Sequence, residues 1–339
     1  MRPHLARPFA SAFRVFALLL PLAAWAAAAA PYTYQRVGKP TNIAAHPTAG
    51  FALMGGGTDL DQAFQWMCAR SDDGDFLVLR ASGTDAYNPY IQKLCPQENS
   101  VATLILPSRV AAQDPFAAQA IRAASAIFIA GGDQSNYINF WQNTPVQREL
   151  QDAIHRGVPL GGTSAGLAVL AEYAYSAQND KPGGSDLTSA AALANPFHPQ
   201  VVLVRNFLRI RPLRGVVTDT HFHARGREGR LLVFLARILQ SGEARTIHGL
   251  GVDQHTALLV DGEGRAMTAG TGAVYALTAS GRPLLCQVNA PLSMDNIAVV
   301  RLTAGQVFDL AAWRGQGTSY TLAVQAGAVT STQPGGSPY

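Results

Sequence analysis

The chain has 339 residues, of which 48% are hydrophobic and 14% are charged. That composition predicts a globular protein of one large or two modest domains and excludes a disordered chain. The formal charge is +4, but three of the arginines fall within the first 14 residues, and removing those three leaves +1. The charge therefore favours neither nucleic acid nor a membrane surface as a partner.

The first 30 residues have the order of a secretory signal peptide. Three arginines precede an uninterrupted apolar run over 15–30. A membrane anchor is the alternative, but the run contains Pro21 and falls short of the about 20 strongly apolar residues of a spanning helix. We expect cleavage of the signal peptide 1–30 near Ala28 and export to the periplasm or beyond, with no membrane segment in the mature protein.

Apolar runs then alternate with helical patterns as far as residue 162. The runs are apolar throughout, which is typical of strands buried on both faces of a parallel sheet. They span 51–56, 75–81, 101–107, 126–132 and 157–162. Helical stretches are predicted at 58–70, 115–124 and 144–156. This alternation predicts a doubly wound α/β sheet.

The second half of the chain has a different pattern. Residues 176–200 are rich in Gly, Pro, Ser and Asn and are predicted to form a long loop or lid. An apolar helix is predicted from residue 231 and β segments from residue 247 onward. We assign residues 31–310 to the main domain and 311–339 to a C-terminal β extension whose final tail is expected to be disordered.

The three cysteines lack the spacing of a metal site. Export would allow a disulfide between Cys68 and Cys95, because disulfides persist in oxidising compartments. Cys286 would then remain as a buried thiol.

The segment Gly162-Thr163-Ser164-Ala165-Gly166 matches the nucleophile-elbow pattern G-x-S-x-G. It follows a predicted strand and precedes a helix-like stretch over 167–174. In such a turn the small neighbours let the chain bend sharply and expose the serine hydroxyl, and the next backbone N–H can bind an oxyanion. The alternative is a packing turn of small residues without chemistry.

A base for that serine lies in the segment 218–239, which again follows an apolar strand. The segment contains His221 among charged neighbours, namely Asp219, Arg225, Arg227 and Arg230. Guanidinium groups bind carboxylates through paired hydrogen bonds, so three arginines beside a histidine predict a positive pocket for an acidic group. The alternative is a solvated helix start with scattered arginines.

His221 and His223 also form a His-x-His pattern, which metal-dependent amidohydrolases use. Only His248 and His255 follow them, and the nearby arginines would repel a cation. We therefore expect neither a metal nor an organic cofactor.

Two further stretches fit a catalytic site. Gly131-Gly132-Asp133-Gln134 follows a predicted strand, and its glycine N–H groups could complete an oxyanion hole while Gln134 orients substrate. The alternative is an ordinary turn with Asp133 as a helix N-cap. In the stretch 249–260, either Asp253 or Gln254 could orient the histidine, and a hairpin turn is the alternative.

Taken together, these four stretches resemble the cyanophycinase branch of the S51 serine peptidase family, in matching order from Gly55 to about Leu310. The resemblance implies a three-layer, mostly parallel fold similar to class I glutamine amidotransferases (flavodoxin-like) and hydrolysis of aspartyl peptide bonds. Cyanophycinases release β-aspartyl-arginine dipeptides from cyanophycin, an arginine-grafted polyaspartate. A homodimer is also implied.

The resemblance assigns the catalytic roles to Ser164 as nucleophile and His221 as base. From the turns themselves, the backbone N–H groups of Ala165 and Gly132 are predicted to hold the oxyanion. The resemblance assigns substrate binding to Gln134, Asp219, Arg225, Arg227 and Arg230.

The chain departs from the family pattern at two positions. Thr220 replaces a glutamine, and Gln254 replaces the glutamate that orients the histidine. An amide can orient the ring but cannot stabilise the imidazolium, and losing that charge costs a serine hydrolase about ten-thousandfold in turnover. Asp253 or Asp219 would be an alternative source of the charge.

The prediction is an exported serine exopeptidase that acts on cyanophycin and needs no cofactor. Three alternatives stay open: an aspartyl dipeptidase of short peptides, a silent binder of aspartate-rich ligands, and an α/β-hydrolase esterase. The esterase would not require the arginine cluster.

Overall fold

The structure is a computed structural model that describes residues 29–180 and 186–339, together with residues 1 and 3. The predicted signal peptide, 1–30, therefore lies almost entirely outside the described residues. Among the helices in the described part of the chain, none is both long and apolar enough to cross a membrane.

The elements follow in chain order. The first half contains β1 Thr33–Gly38, β2 Gly50–Met54, α1 Asp61–Cys68, β3 Asp75–Arg80, α2 Tyr87–Leu94, β4 Ser100–Ile105, α3 Arg109–Gln113, α4 Pro115–Ala123, β5 Ala126–Ile129, α5 Gln134–Trp141, α6 Pro145–His155 and β6 Leu160–Thr163. The middle contains α7 Ala165–Ala168, β7 Tyr173–Tyr175, α8 Ser189–Ala194, β8 Leu203–Arg205, β9 Val216–Thr220, α9 Glu228–Ser241 and β10 Thr246–Val252. The remainder contains β11 Thr256–Asp261, β12 Arg265–Gly270, β13 Val274–Ser280, β14 Met294–Leu302, β15 Val307–Asp309, β16 Arg314–Gly315, β17 Thr318–Gln325 and β18 Ala328–Ser331.

The first sheet has the order β1-β4-β3-β5-β6-β2-β11-β12-β15-β16. Its central strands, from β4 to β2, are parallel to one another. β1 is antiparallel at one side, and β11 begins an antiparallel continuation at the other. The predicted α/β class with a parallel core is confirmed, and the chain has helices on both faces of that core.

The burial of β3 explains why its sequence is apolar at successive positions. Leu77 and Leu79 face the layer formed by α3, α4, α5 and α6. Phe76 and Val78 face the opposite layer, formed by α1 and α2. Because successive side chains of a strand point to opposite faces, a strand between two helix layers buries every residue. Each fully buried side chain of this size contributes about 1.5–3 kcal/mol.

The second sheet has the order β18-β17-β14-β13-β10-β9-β7-β8. Within it β9 is parallel to β10 and β7, whereas the outer strands pair antiparallel. Helix α9 packs its apolar side chains against this sheet. The β segments predicted from residue 247 onward are thus divided between the two sheets.

The helix predicted after the serine motif is much shorter than the pattern 167–174 indicates. Helix α7 ends at Ala168, and the chain enters β7 at Tyr173. β7 pairs with β8 and with β9, so strand pairing in the second sheet overrides the helical propensity of the alanine-rich sequence.

The end of the chain also differs from its predicted disorder. The ring of Tyr339 stacks on His223 with centroids 4.5 Å apart. The hydroxyl of Tyr320 donates to the Pro338 carbonyl at 2.8 Å. Composition pointed to a solvated tail, but two aromatic side chains give it a packing surface.

Cys68 and Cys95 form a disulfide that joins the end of α1 to the residue after α2. Cys286 is a buried free thiol. The structure thus contains the pairing that the sequence left open.

Candidate active site

Ser164 lies in the turn between β6 and α7, with φ +52° and ψ −115°. A non-glycine residue rarely adopts this conformation, and such strain is typical of nucleophile elbows. The flanking glycines make the turn possible. A Cβ at Gly162 would lie 2.6 Å from the carbonyl carbon of Gly166, and one at Gly166 would overlap the Ile129 carbonyl oxygen.

His221 follows β9, so it reaches Ser164 from the second sheet. Its Nε2 lies 2.8 Å from Ser164 Oγ. Its backbone N–H donates to the Gly55 carbonyl at 2.8 Å. The ring fits against Gly56 because that residue has no side chain, and a Cβ there would lie 2.5 Å from Nε2. The two residues thus have the separation that a serine and its general base require.

Gln254 lies in the short connection between β10 and β11. Its side-chain Nε2 is 2.7 Å from His221 Nδ1, to which it would donate, and a half-turn of the amide places its oxygen there instead. When the amide oxygen faces the ring, it accepts the Nδ1 proton, and Nε2 is left free to accept the serine proton. The arrangement therefore orients the histidine but supplies no negative charge to it.

The two carboxylates that could have replaced the glutamate beside His221 accept hydrogen bonds from other groups. Asp253 accepts hydrogen bonds from the backbone N–H of His223, at 2.9 Å, and of Ala273, at 3.0 Å. Asp219 accepts from both ends of the Arg230 guanidinium. Neither replaces the family's glutamate beside His221.

The environment of His221 keeps its imidazole neutral. Burial, followed by the positive charges of Arg225 and Arg227, lowers the pKa of His221 to about 4. At neutral pH the ring can therefore accept a proton, which a general base must do.

The Gly131–Gly132 turn follows β5 and lies beside the serine. A Cβ at Gly131 would be 3.6 Å from Ser164 Cβ. The Tyr137 hydroxyl donates to the Ala130 carbonyl at 2.7 Å and to the Gly131 carbonyl at 3.3 Å. In a trans peptide the N–H points opposite to the preceding carbonyl, so the Gly132 N–H is directed away from Tyr137. Tyr137, to which no sequence motif pointed, fixes the orientation of this turn.

The residues after this turn divide between structure and cavity. Asp133 Oδ1 accepts the Ser135 N–H at 2.9 Å and caps α5, as the structural alternative predicted. Gln134 lines the cavity next to Ser164.

A cavity of about 530 Å³ opens at Ser164. Cavities of about 550 and 680 Å³ lie elsewhere, and their linings include neither Ser164 nor His221. Of the predicted site residues, those that line the cavity at Ser164 are Gly132, Gln134, Ser164, Arg225, Arg227 and Arg230. Ala165 directly follows the serine as the first residue of α7.

The three arginines differ in what they can bind. Arg230 is 2% exposed and donates to both oxygens of Asp219 at 2.6 Å, so Asp219 pairs with it and does not line the cavity. This corrects the predicted contact of Asp219 with substrate. Arg227 donates to the Thr220 carbonyl at 2.9 Å and to Asp186 at 2.6 Å. Arg225 is more exposed and also donates to Asp186, at 3.1 Å.

The cavity has both signs of charge, whereas the sequence predicted a strongly positive one. Asp133, Asp180 and Asp186 line it together with the arginines. Asp180 accepts the Tyr175 hydroxyl at 3.0 Å. Asp180 and Asp186 lie in the predicted loop 176–200, where no motif pointed to them.

The described residues contain no group of three or more His, Cys, Asp or Glu side chains arranged to hold a metal ion. His223 of the His-x-His pattern stacks on Tyr339, whereas His221 contacts Ser164.

Comparison with known proteins relates the chain to one peptidase family. A family model described as peptidase family S51 matches residues 53–267. Cyanophycinase from Trichormus variabilis is 29% identical over 196 residues, which cover 56% of this chain and 58% of that protein. Cyanophycinase from Geminocystis herdmanii is 26% identical over 225 residues, covering 64% of this chain and 74% of that protein.

Among solved structures, a peptidase from an acI-B1 actinobacterium aligns with a TM-score of 0.49 and 17% identity, covering 78% of this chain and 98% of that one. The chain matches 58% of the length of the Trichormus relative.

Proposed function

Since the chain belongs to peptidase family S51, we propose that it is a serine-type peptidase, specifically an exported exopeptidase that degrades cyanophycin. Its products would be β-aspartyl-arginine dipeptides. The observation that carries the proposal is the 2.8 Å contact between Ser164 Oγ and His221 Nε2 at a cavity lined by arginine and aspartate. Such a cavity matches a substrate that bears carboxylates and guanidinium groups together.

In the proposed mechanism, Ser164 Oγ attacks the carbonyl carbon of an aspartyl peptide bond while His221 Nε2 takes its proton. The N–H groups of Ala165 and Gly132 stabilise the oxyanion. His221 then protonates the leaving amine. Water, deprotonated by His221, next attacks the acyl-enzyme and releases the carboxylic acid and the free serine. Gln254 keeps the ring oriented throughout.

Arg225 and Arg227, with Gln134, would bind the carboxylate beside the scissile bond. Arg227 is suited to this because its guanidinium is held by the Thr220 carbonyl before substrate arrives. Such preorganisation means that little side-chain freedom is lost on binding.

Export is supported by the order of residues 1–30 and by the Cys68–Cys95 disulfide, since disulfides are rare in reducing compartments. The proposed mature protein is a soluble homodimer. It binds a peptide substrate and interacts with neither nucleic acid nor a membrane.

The test is incubation of the purified protein with a suspension of cyanophycin. We expect the suspension to clear and β-aspartyl-arginine to be released, as measured by mass spectrometry. Ser164→Ala should abolish both results. Asp152→Asn, a change at an exposed residue of α6, is the matched control and should clear like the wild type.

A fluorophosphonate probe adds a second measurement, because it reacts with activated serines. Mass added at Ser164 and absent from Ser164→Ala supports the nucleophile. Labelling with cleavage of short aspartyl peptides, but not of the polymer, would instead make the protein a dipeptidase. Absence of both labelling and hydrolysis would contradict the proposal and favour a binder.

A further inference from the structure

The protein's own carboxylate occupies the arginine pair that the proposed mechanism gives to substrate. Asp186 Oδ2 accepts from Arg227 at 2.6 Å and from Arg225 at 3.1 Å. The Arg227 side chain is 9% exposed, whereas the Asp186 side chain is 57% exposed. The guanidinium is thus a fixed part of the wall, and the carboxylate is its solvent-facing partner.

Asp186 is ionised at neutral pH. Partial burial acts to raise its pKa, but the positive charges of Arg227, Arg230 and Arg225, with the Arg227 hydrogen bond, outweigh burial and hold the pKa of Asp186 below its ordinary value. An incoming carboxylate that binds Arg225 and Arg227 therefore meets a fixed negative charge.

Two kinds of substrate meet that charge differently. A ligand with carboxylates only would take the arginines from Asp186 and leave Asp186 unpaired beside a like charge, which is unfavourable in a partly buried site. A ligand with a carboxylate and a guanidinium would exchange partners. Its carboxylate would take the arginines, its guanidinium would take Asp186, and no charge would lose its partner.

The rest of the cavity favours the second kind of ligand. Asp180 and Asp133 line the same cavity as Asp186. Arg230, which would otherwise add positive charge, is already neutralised by Asp219. The other charged side chains that line the cavity are two arginines, Arg225 and Arg227, against three aspartates, so their net charge is −1.

We propose that Asp186 is a specificity-determining residue, which admits substrates bearing a carboxylate together with a guanidinium and discriminates against substrates bearing carboxylates alone. This inference rests on the proposed function of the same cavity. It adds the residue that distinguishes an arginine-grafted aspartyl substrate from a plain acidic peptide.

The test measures binding without turnover, in the Ser164→Ala background, by titration calorimetry. The two ligands are β-aspartyl-arginine and β-aspartyl-glutamate. We expect the arginine dipeptide to bind at least about tenfold more tightly, as one charge-assisted pair allows. Asp186→Asn should reduce that preference to about threefold or less. Asp186→Glu, which keeps the charge, should retain it, and Asp152→Asn is the matched control.

Three results would overturn the inference. Equal tightening of both dipeptides in Asp186→Asn would make Asp186 a simple competitor of substrate. An unchanged preference would show that Asp186 does not distinguish the ligands, and binding of neither dipeptide would also reject the inference. Failure of the proposed function would be seen separately, as the absence of Ser164-dependent hydrolysis of the polymer.

Discussion

Arg230 and Asp219 form a buried, two-point ion pair directly behind the cavity, with both hydrogen bonds at 2.6 Å. The two side chains are 2% and 3% exposed. The pair joins α9 to β9, the strand that directly precedes His221. The pair holds the Arg230 guanidinium in place, so Arg230 is not free to bind a substrate carboxylate.

Arg230→Met should destabilise the protein by about 3–5 kcal/mol, because it leaves the Asp219 charge buried without its main partner. The double variant Asp219→Leu/Arg230→Met should recover most of that loss, since an apolar pair needs no compensation. Urea unfolding measures both values. A loss below about 1 kcal/mol for Arg230→Met would contradict the assignment.

Gln254→Glu should increase turnover. A carboxylate at this position would stabilise the imidazolium that forms during serine attack, a contribution of up to about ten-thousandfold in serine hydrolases. The measurement is kcat on the polymer, with the conservative variant Gln254→Asn as control. Unchanged or lower turnover in Gln254→Glu would indicate that an amide is the partner this site requires.

The pH profile should reflect the low pKa of His221. Since that pKa is about 4, the base is neutral above pH 5, and kcat/KM should stay level toward neutral pH. It should fall as the ring is protonated near pH 4. Gln254→Glu should move this acid limb to higher pH, because a carboxylate favours the charged ring. An acid limb near 6.5 in the wild type would contradict the structure.

Glu228 should make the protein less stable as pH rises. Burial raises the pKa of Glu228 from its ordinary 4.5 to about 8. Between these values the folded protein keeps the proton and the unfolded chain loses it, so stability declines from about pH 4.5 to about pH 8.

Glu228→Gln removes this titration. At pH 8.5 the free energy of unfolding of the variant should exceed that of the wild type by about 1–4 kcal/mol, and at pH 4 the two values should be equal. Urea unfolding at the two pH values is the measurement. An equal difference at both would assign the effect to packing.

Gly56→Ala should inactivate the protein without unfolding it, because the new methyl group would displace the His221 ring. Labelling of Ser164 by the fluorophosphonate should be lost. Gly215→Ala is the matched control, since Gly215 also has a positive φ but a Cβ added there would have no other atom within 4 Å. It should cost about 1 kcal/mol from backbone strain and keep full labelling.

The sequence was most informative where local rules decide the structure. Strand β3, Asp75–Arg80, lies almost where its apolar run 75–81 predicted it, because a strand buried on both faces must be apolar throughout. The elbow at Ser164 was found because its steric limits involve neighbours in sequence. The strand order of the second sheet was not predicted from the sequence. The pairing of β9 with β10 and of β14 with β17 depends on contacts between segments that are not adjacent in the chain.

The charges of the cavity show the same limit. The sequence placed Arg225, Arg227 and Arg230 near His221. It did not indicate that Arg230, in α9, forms an ion pair with Asp219, eleven residues earlier in β9. Asp186 lies in a loop without periodicity, so no pattern connected it with the arginines. Which cations stay free is decided by tertiary structure.

Ser164 and His221 follow strands of different sheets, Ser164 directly after β6 and His221 directly after β9. Hydrolysis under the proposed mechanism therefore depends on the seam between the sheets, and a slip of one ångström there would separate the reacting pair while both sheets stay intact. On heating, activity should therefore be lost at a lower temperature than the secondary structure that circular dichroism measures.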